Sequence, residues 1–265
     1  MVTNKGSTTY YDTIMYILRI VKLFFITSLM LLNVICQSSG LEKCSGDVCI
    51  PSDYDRLRLP LTNETNNIEI SIHDFKILKI NDHDCVIKTS LWFIIRWYEP
   101  RIIPPSNMTQ RFITLEESFH KNLWLPDILI WNLENVELRH FLNNDMEVIY
   151  LPNNILSLQT NMLLEFYCLM TFENYPMDEQ ECKIYFRSYS HDISELNVTM
   201  KTLEAKKEVK LTDYSFEVKS NHRLFLGNHS EAGIDIKLQR NIFKYIVNYY
   251  IPSGLLVSVS WVINY

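Results

Sequence analysis

The sequence predicts an all-β sandwich that ends in the start of a transmembrane α-helix. Three observations carry this: apolar–polar alternation in several short runs, turn residues between those runs, and an uncharged apolar stretch closing the 265-residue chain. A half-buried strand turns every second side chain to the core, so a period of two marks it.

At the amino end, Arg19 and Lys22 precede the uncharged run LFFITSLMLLNVI, residues 23–35. It is short for a bilayer span and suits the core of an export signal. The expected cleavage follows Cys36. Removal of residues 1–36 takes away Lys5, Arg19, Lys22 and Asp12, a net +2, and leaves −8 on residues 37–265. The rival reading is an uncleaved signal anchor, because the basic stretch before the run is long.

The middle, residues 37–244, reads as strands. Ile68, Ile70 and Ile72 share one face of IEISIHD. Ile234, Ile236 and Leu238 alternate with Asp235, Lys237 and Gln239, and Lys183, Tyr185, Arg187 and Tyr189 share a face of CKIYFRSYS. Further strand candidates are residues 85–97, 146–151 and 155–167. Pro104-Pro105, Asn143-Asn144 and Asn153-Asn154 supply turns. Many short strands at this spacing argue for an antiparallel sandwich.

The closing run, residues 245–265, holds no charged residue and is long enough to cross a hydrocarbon core of about 30 Å. Tyr245, Tyr249, Tyr250, Trp261 and Tyr265 lie toward its ends, as interfacial aromatics do. A buried soluble helix is the alternative. No basic segment flanks the run, so the sequence is expected to be an amino-terminal fragment of a longer polypeptide.

Composition narrows the function classes. Aromatics at 12% and hydrophobics at 47% exclude a disordered chain, and a net charge of −6 argues against a nucleic-acid partner. No nucleophile–base set, phosphate loop or metal-ligand cluster suggests an enzyme or a cofactor. Four glycosylation sequons, at Asn63, Asn107, Asn197 and Asn228, agree with a secreted domain.

Five cysteines follow the signal, and in an oxidising compartment some should pair. Cys168 and Cys182 enclose thirteen residues, a loop whose closure is worth about 3 kcal/mol. Cys44 and Cys49 are a candidate second loop, which leaves Cys85 as a buried thiol in a strand.

A thirteen-residue loop with the core Tyr175-Pro176-Met177-Asp178, then Gln180, resembles the disulfide loop of the Cys-loop receptors, the pentameric ligand-gated ion channels. Trp124-Leu125-Pro126-Asp127 with Asn132, the segment Trp97-Tyr98-Glu99-Pro100-Arg101-Ile102, and Leu238-Gln239-Arg240-Asn241 followed by Tyr249-Tyr250-Ile251-Pro252-Ser253 are similar to further family motifs in the same order. The resemblance covers about residues 53–265 and implies an immunoglobulin-like β-sandwich that binds ligand outside the cell. It also implies a homo- or hetero-pentamer of channel subunits in the plasma membrane, gated by a small-molecule or ion agonist. Met177, Ile251-Pro252-Ser253 and Ser260-Trp261 resemble the anion-channel branch, and chloride conduction is the expectation. A pore-less secreted or tethered binding protein is the alternative; an immunoglobulin adhesion module is disfavoured because its cysteines lie far apart.

The resemblance also assigns positions. Trp131 and Tyr189 fall where aromatics of one subunit face the agonist, with His229 at a third binding loop. Packing of Trp131 and Tyr189 at the sandwich edge is the plain alternative. Trp92 takes the aromatic place on the complementary face. Ile94 stands where amino-acid receptors carry an arginine for the agonist carboxylate, and Gln159 and Asn161 replace their Ser/Thr and Arg. An ordinary amino-acid transmitter is therefore not expected, since isoleucine cannot grip a carboxylate. His191 and His229 form a weak candidate pair for proton or zinc sensing, against two solvated loop histidines; no other metal site is expected. At the membrane end the resemblance gives Tyr175 and Pro176 as an apolar loop tip, Asp178 as a buried carboxylate, and Arg240 as a coupling arginine. Arg240 is expected to meet carboxylates of the disulfide loop and of the turn holding Asp82 and Asp84.

Overall fold

The computed structural model describes residues 43–108, 110–139, 146–206, 211 and 213–264. The expected export signal, the Asn143-Asn144 turn, His140, Thr109 of the Asn107 sequon and Tyr265 lie outside the described residues. In chain order the first strands are β1 (Lys43–Ser45), β2 (Val48–Ile50), β3 (Asn66–Asn81), β4 (Val86–Tyr98) and β5 (Ile113–Thr114), followed by the short helix α1 (Glu117–His120). Then come β6 (Ile128–Ile130), β7 (Leu133–Leu138), β8 (Glu147–Leu151), β9 (Ile155–Tyr167), β10 (Glu179–Ser188), β11 (Leu196–Ala205), β12 (Tyr214–Phe225) and β13 (His229–Arg240).

Two sheets carry the fold. One runs β12-β13-β10-β6; the other runs β11-β3-β4-β9-β8-β5, with β7 also on β9. The alternating isoleucines make the core between them: Ile68, Ile70, Ile72, Ile234, Ile236 and Leu238 are all buried. Phe93 of β4 and Phe186 of β10 stack across the sandwich at 5.2 Å between ring centres. The turn before β9 is made by Asn153 and Asn154, both at positive φ (64° and 55°), a region asparagine tolerates better than most residues.

A buried charge needs partners, and Glu99 has them. Glu99 is fully buried and accepts from Arg101 Nε and Nη2, each at 2.7 Å, and from the Tyr54 hydroxyl at 2.9 Å. This trio explains the Glu99-Pro100-Arg101 motif as a fold clasp.

Several details differ from the sequence reading. The sandwich is not wholly antiparallel, because β11 runs parallel to β3. Cys85 is half-buried and free, at φ 55° in the turn just before β4 and not within a strand. The two expected pairs, Cys44–Cys49 and Cys168–Cys182, are both disulfide-bonded, in agreement with the sequence reading.

After β13 the chain turns into a helical run of α2 (Ile242–Tyr245), a π-helical segment (Ile246–Tyr250) and α3 (Ile251–Asn264). Asn241 caps it by accepting from the Phe243 N–H. Pro252 has no N–H and its ring crowds the preceding turn, and the wider π turn lies immediately before it. Ser253 Oγ then donates to the carbonyl oxygens of Tyr249 at 2.5 Å and Tyr250 at 3.2 Å. Ile242–Ile263 contains an eighteen-residue stretch with a mean hydropathy of 1.5 and no buried residue, and the run is long and apolar enough to cross a membrane.

Candidate functional site

The first cluster forms where β6, β10 and the β12–β13 hairpin end together. Asp127 fixes the chain after β10: its carboxylate accepts from the Ser188 hydroxyl at 2.7 Å and the Ser190 N–H at 2.9 Å, and its carbonyl accepts from the Tyr189 N–H. Tyr189 is 76% exposed and Trp131 is 59% exposed. Trp131 meets Phe225 of the hairpin at 5.9 Å between ring centres. The guanidinium carbon of Arg187 lies 4.1 Å from the centre of each ring.

Behind this corner Glu231 is buried. It accepts from Arg223 Nε at 2.7 Å and from Arg187 Nη1 at 3.4 Å. Arg223 covers the Tyr185 ring at 3.6 Å. A side chain at Gly233 would stand 2.5 Å from two Tyr185 ring carbons, so only glycine lets that ring lie flat on β13.

The histidines are separately engaged. His229 Nδ1 contacts Asn228 Oδ1 at 3.1 Å, and His191 Nδ1 contacts Glu195 at 2.9 Å. Among the described residues no group of three or more His, Cys, Asp or Glu could hold a metal ion. The sequon residues Asn63, Asn107 and Asn228 are exposed; Asn197 is half-buried, with its amide bonded to Asn67 and Ser230.

The second cluster lies on the outer face of the larger sheet. Register sets Trp92 opposite Asn161 and Ile94 opposite Gln159. Trp92 and Asn161 are exposed, whereas Ile94 is buried and offers no open surface. His73 stands across from Trp92, 5.7 Å between rings, and pairs with Glu204 at 2.8 Å.

The third cluster is at the helix end. Arg240, buried at the last position of β13, donates from Nε and Nη2 to Asp178 at 2.6 and 3.0 Å, and from Nη1 to Asp82 at 2.8 Å and the Tyr245 hydroxyl at 3.2 Å. Tyr214 and Tyr175 lie 4.6 and 4.9 Å from its guanidinium carbon. Tyr175, at the exposed loop tip beside cis-Pro176, meets Tyr245 edge-on at 5.3 Å. Asp84 is not part of this cluster; it bonds Asn81 and His83.

Burial pushes the Asp178 carboxyl up, but hydrogen bonds from Arg240 and Gln180 outweigh this and hold it below the ordinary carboxylate range. The pair therefore stabilises the fold above the unfolded carboxylate value of about 3.9 and is lost as pH falls through the lower folded value. Thermal melts between pH 6 and 2 should show a steeper acid decline for the natural chain than for Asp178→Asn. Parallel declines would count against this pair as an acid-sensitive contact.

Residues 49–244 match the family model for the neurotransmitter-gated ion-channel ligand binding domain. The chain belongs to this family. Relatives include pH-sensitive chloride channel 2 of Drosophila melanogaster, 26% identical over 253 residues, which is 85% of this chain and 48% of that protein. Neuronal acetylcholine receptor subunit beta-4 of Gallus gallus is 22% identical over 232 residues, 84% of this chain and 48% of its own length. Gamma-aminobutyric acid receptor subunit beta of Lymnaea stagnalis is 26% identical over 164 residues, 59% and 33% of the two chains. The chain thus spans about half, or less, of the length of these relatives.

Within this family member, sequence reasoning missed Arg187, Phe225, Glu231 and Arg223 as one cluster. The alternation in β10 already put Arg187 on the face of Tyr185 and Tyr189. What it lacked was the hairpin register that sets Phe225 opposite His229 and Arg223 opposite Glu231.

Proposed function

We propose that this chain is the ligand-binding part of a ligand-gated ion channel subunit, assembled as a pentamer in the plasma membrane. Residues 37–244 face the outside behind an export signal at 1–36, and the helical run from about residue 245 opens the membrane domain. The reading rests above all on the Arg240 joint, which ties the Cys168–Cys182 loop, the turn after β3 and the first helical turn into one hydrogen-bonded unit. Such a unit can bias a conformational equilibrium only if ligand binds one state more tightly than the other. Agonist would sit between subunits, with Trp131, Tyr189 and His229 on one side and Trp92, Ile94, Gln159 and Asn161 on the other. Ile94, buried, would then give the agonist no open surface.

Chloride is the proposed permeant ion, supported by relatives named as chloride channels and gamma-aminobutyric acid receptor subunits. The test is to record the full-length subunit in oocytes during pulses of acid, amines and amino acids. Evoked currents whose reversal potential follows the chloride gradient are expected. Currents that follow sodium overturn the selectivity, and their absence under every stimulus overturns the channel reading for this subunit alone.

A further inference from the structure

Resting on the reading of the Trp131 corner as an agonist site, we infer that Arg187 receives an anion there: the site takes a ligand carboxylate or comparable oxyanion, not an ammonium. Two aromatic faces set at an angle are a good seat for a cation. In this chain the seat is filled from within, by the Arg187 guanidinium over both Trp131 and Phe225. A second cation arriving at the same rings would meet a fixed like charge.

The hydrogen bonding of Arg187 supplies the positive half of the argument. A guanidinium carries five N–H donors, none of which it can lose by deprotonation. The Arg187 side chain is only 9% exposed, yet among the described residues it makes one hydrogen bond, to Glu231 at the long distance of 3.4 Å. Glu231 is held more tightly by Arg223 at 2.7 Å, so two guanidiniums share one buried carboxylate. Its other donors are not among the buried atoms that lack a partner, so they are open to an arriving oxyanion and can give it charge-assisted hydrogen bonds. The donors lie in the guanidinium plane, the geometry that binds a carboxylate through two parallel N–H···O bonds. Exposed Trp131 and Tyr189 border the approach.

The test uses two probes of similar size and opposite charge, benzoate and benzylammonium, binding to the full-length subunit in detergent by saturation-transfer NMR. Benzoate should bind at least tenfold more tightly than benzylammonium. Arg187→Gln should weaken benzoate at least tenfold, and Arg187→Lys, which keeps charge without the fork, should fall between. Equal or tighter benzylammonium binding, no binding of either probe, or benzoate binding unchanged in Arg187→Gln would overturn the inference. If Arg187→Gln does not fold, the comparison of the two probes on the natural subunit still decides. Current is not the readout, so benzoate bound through Arg187 in a subunit that passes no current would sink the channel reading and leave this one standing.

Discussion

Arg240→Ala should destabilise the folded chain by about 3–5 kcal/mol and abolish ligand-evoked current from the full-length channel. The first effect follows from what the substitution leaves behind. Asp178 is buried and would keep its charge without its bidentate partner, and an uncompensated buried charge is what makes breaking such a pair costly. Asp82 is 38% exposed at its side chain and can be rehydrated, so its share is smaller. The double variant Arg240→Ala with Asp178→Asn removes the orphan charge and should recover most of the loss in a denaturation experiment. Arg240→Lys should be intermediate, because one ammonium cannot serve two oxygens of Asp178 and one of Asp82 in fixed geometry. The second effect follows from the proposed coupling role. It is checked by measuring current against surface-labelled protein, and unchanged currents at equal surface amounts would refute it.

Phe186→Ala should cost about 3–5 kcal/mol, the range for truncating a large buried aromatic. Phe186 is fully buried and its stack on Phe93 joins the two sheets. Its neighbours on β10 are Tyr185 and Arg187, whose side chains point the other way, so the cavity opens directly beneath the aromatic corner. Phe186→Leu should lose less, since more of the volume is kept. Melting of the purified subunit in detergent measures both. A loss under about 1 kcal/mol for Phe186→Ala would mean the sheets close over the gap and the stack is not what holds them.

Much of this fold was legible because it is written in local pattern. The isoleucines of β3 and β13 alternate in sequence and are buried in the structure, and the paired asparagines occupy the left-handed turn they suggested. The parallel pairing of β11 with β3 was not legible, because it joins residues such as Val198 and Ile68 that share no turn and no local signal. Cys85 looked like a strand thiol because the apolar Val86 and Ile87 follow it, but its positive φ belongs to the turn. The same limit applies to the sites. Arg240 and Asp178 could be read from family motifs, whereas the place of Arg187 depends on a hairpin that carries Phe225 over it. Ile94 could be placed on the outer face by parity, but parity does not reveal that the face is covered there.

One strand, β13, holds an acid at its beginning and a base at its end: Glu231 against two arginines, and Arg240 against two aspartates. Nine residues of strand at about 3.3 Å each set these two anchors roughly 30 Å apart. β10 and β12 hydrogen-bond to both flanks of β13, so it cannot stretch between them. A slip of one residue would turn both side chains to the opposite face of the sheet and away from their partners, so the two anchors hold the strand in one register. The strand is therefore a rod of fixed length, clamped by opposite charges at its two ends. In the proposed channel, a displacement of the hairpin is expected to reach the start of the helical run as tilt or translation of the whole strand.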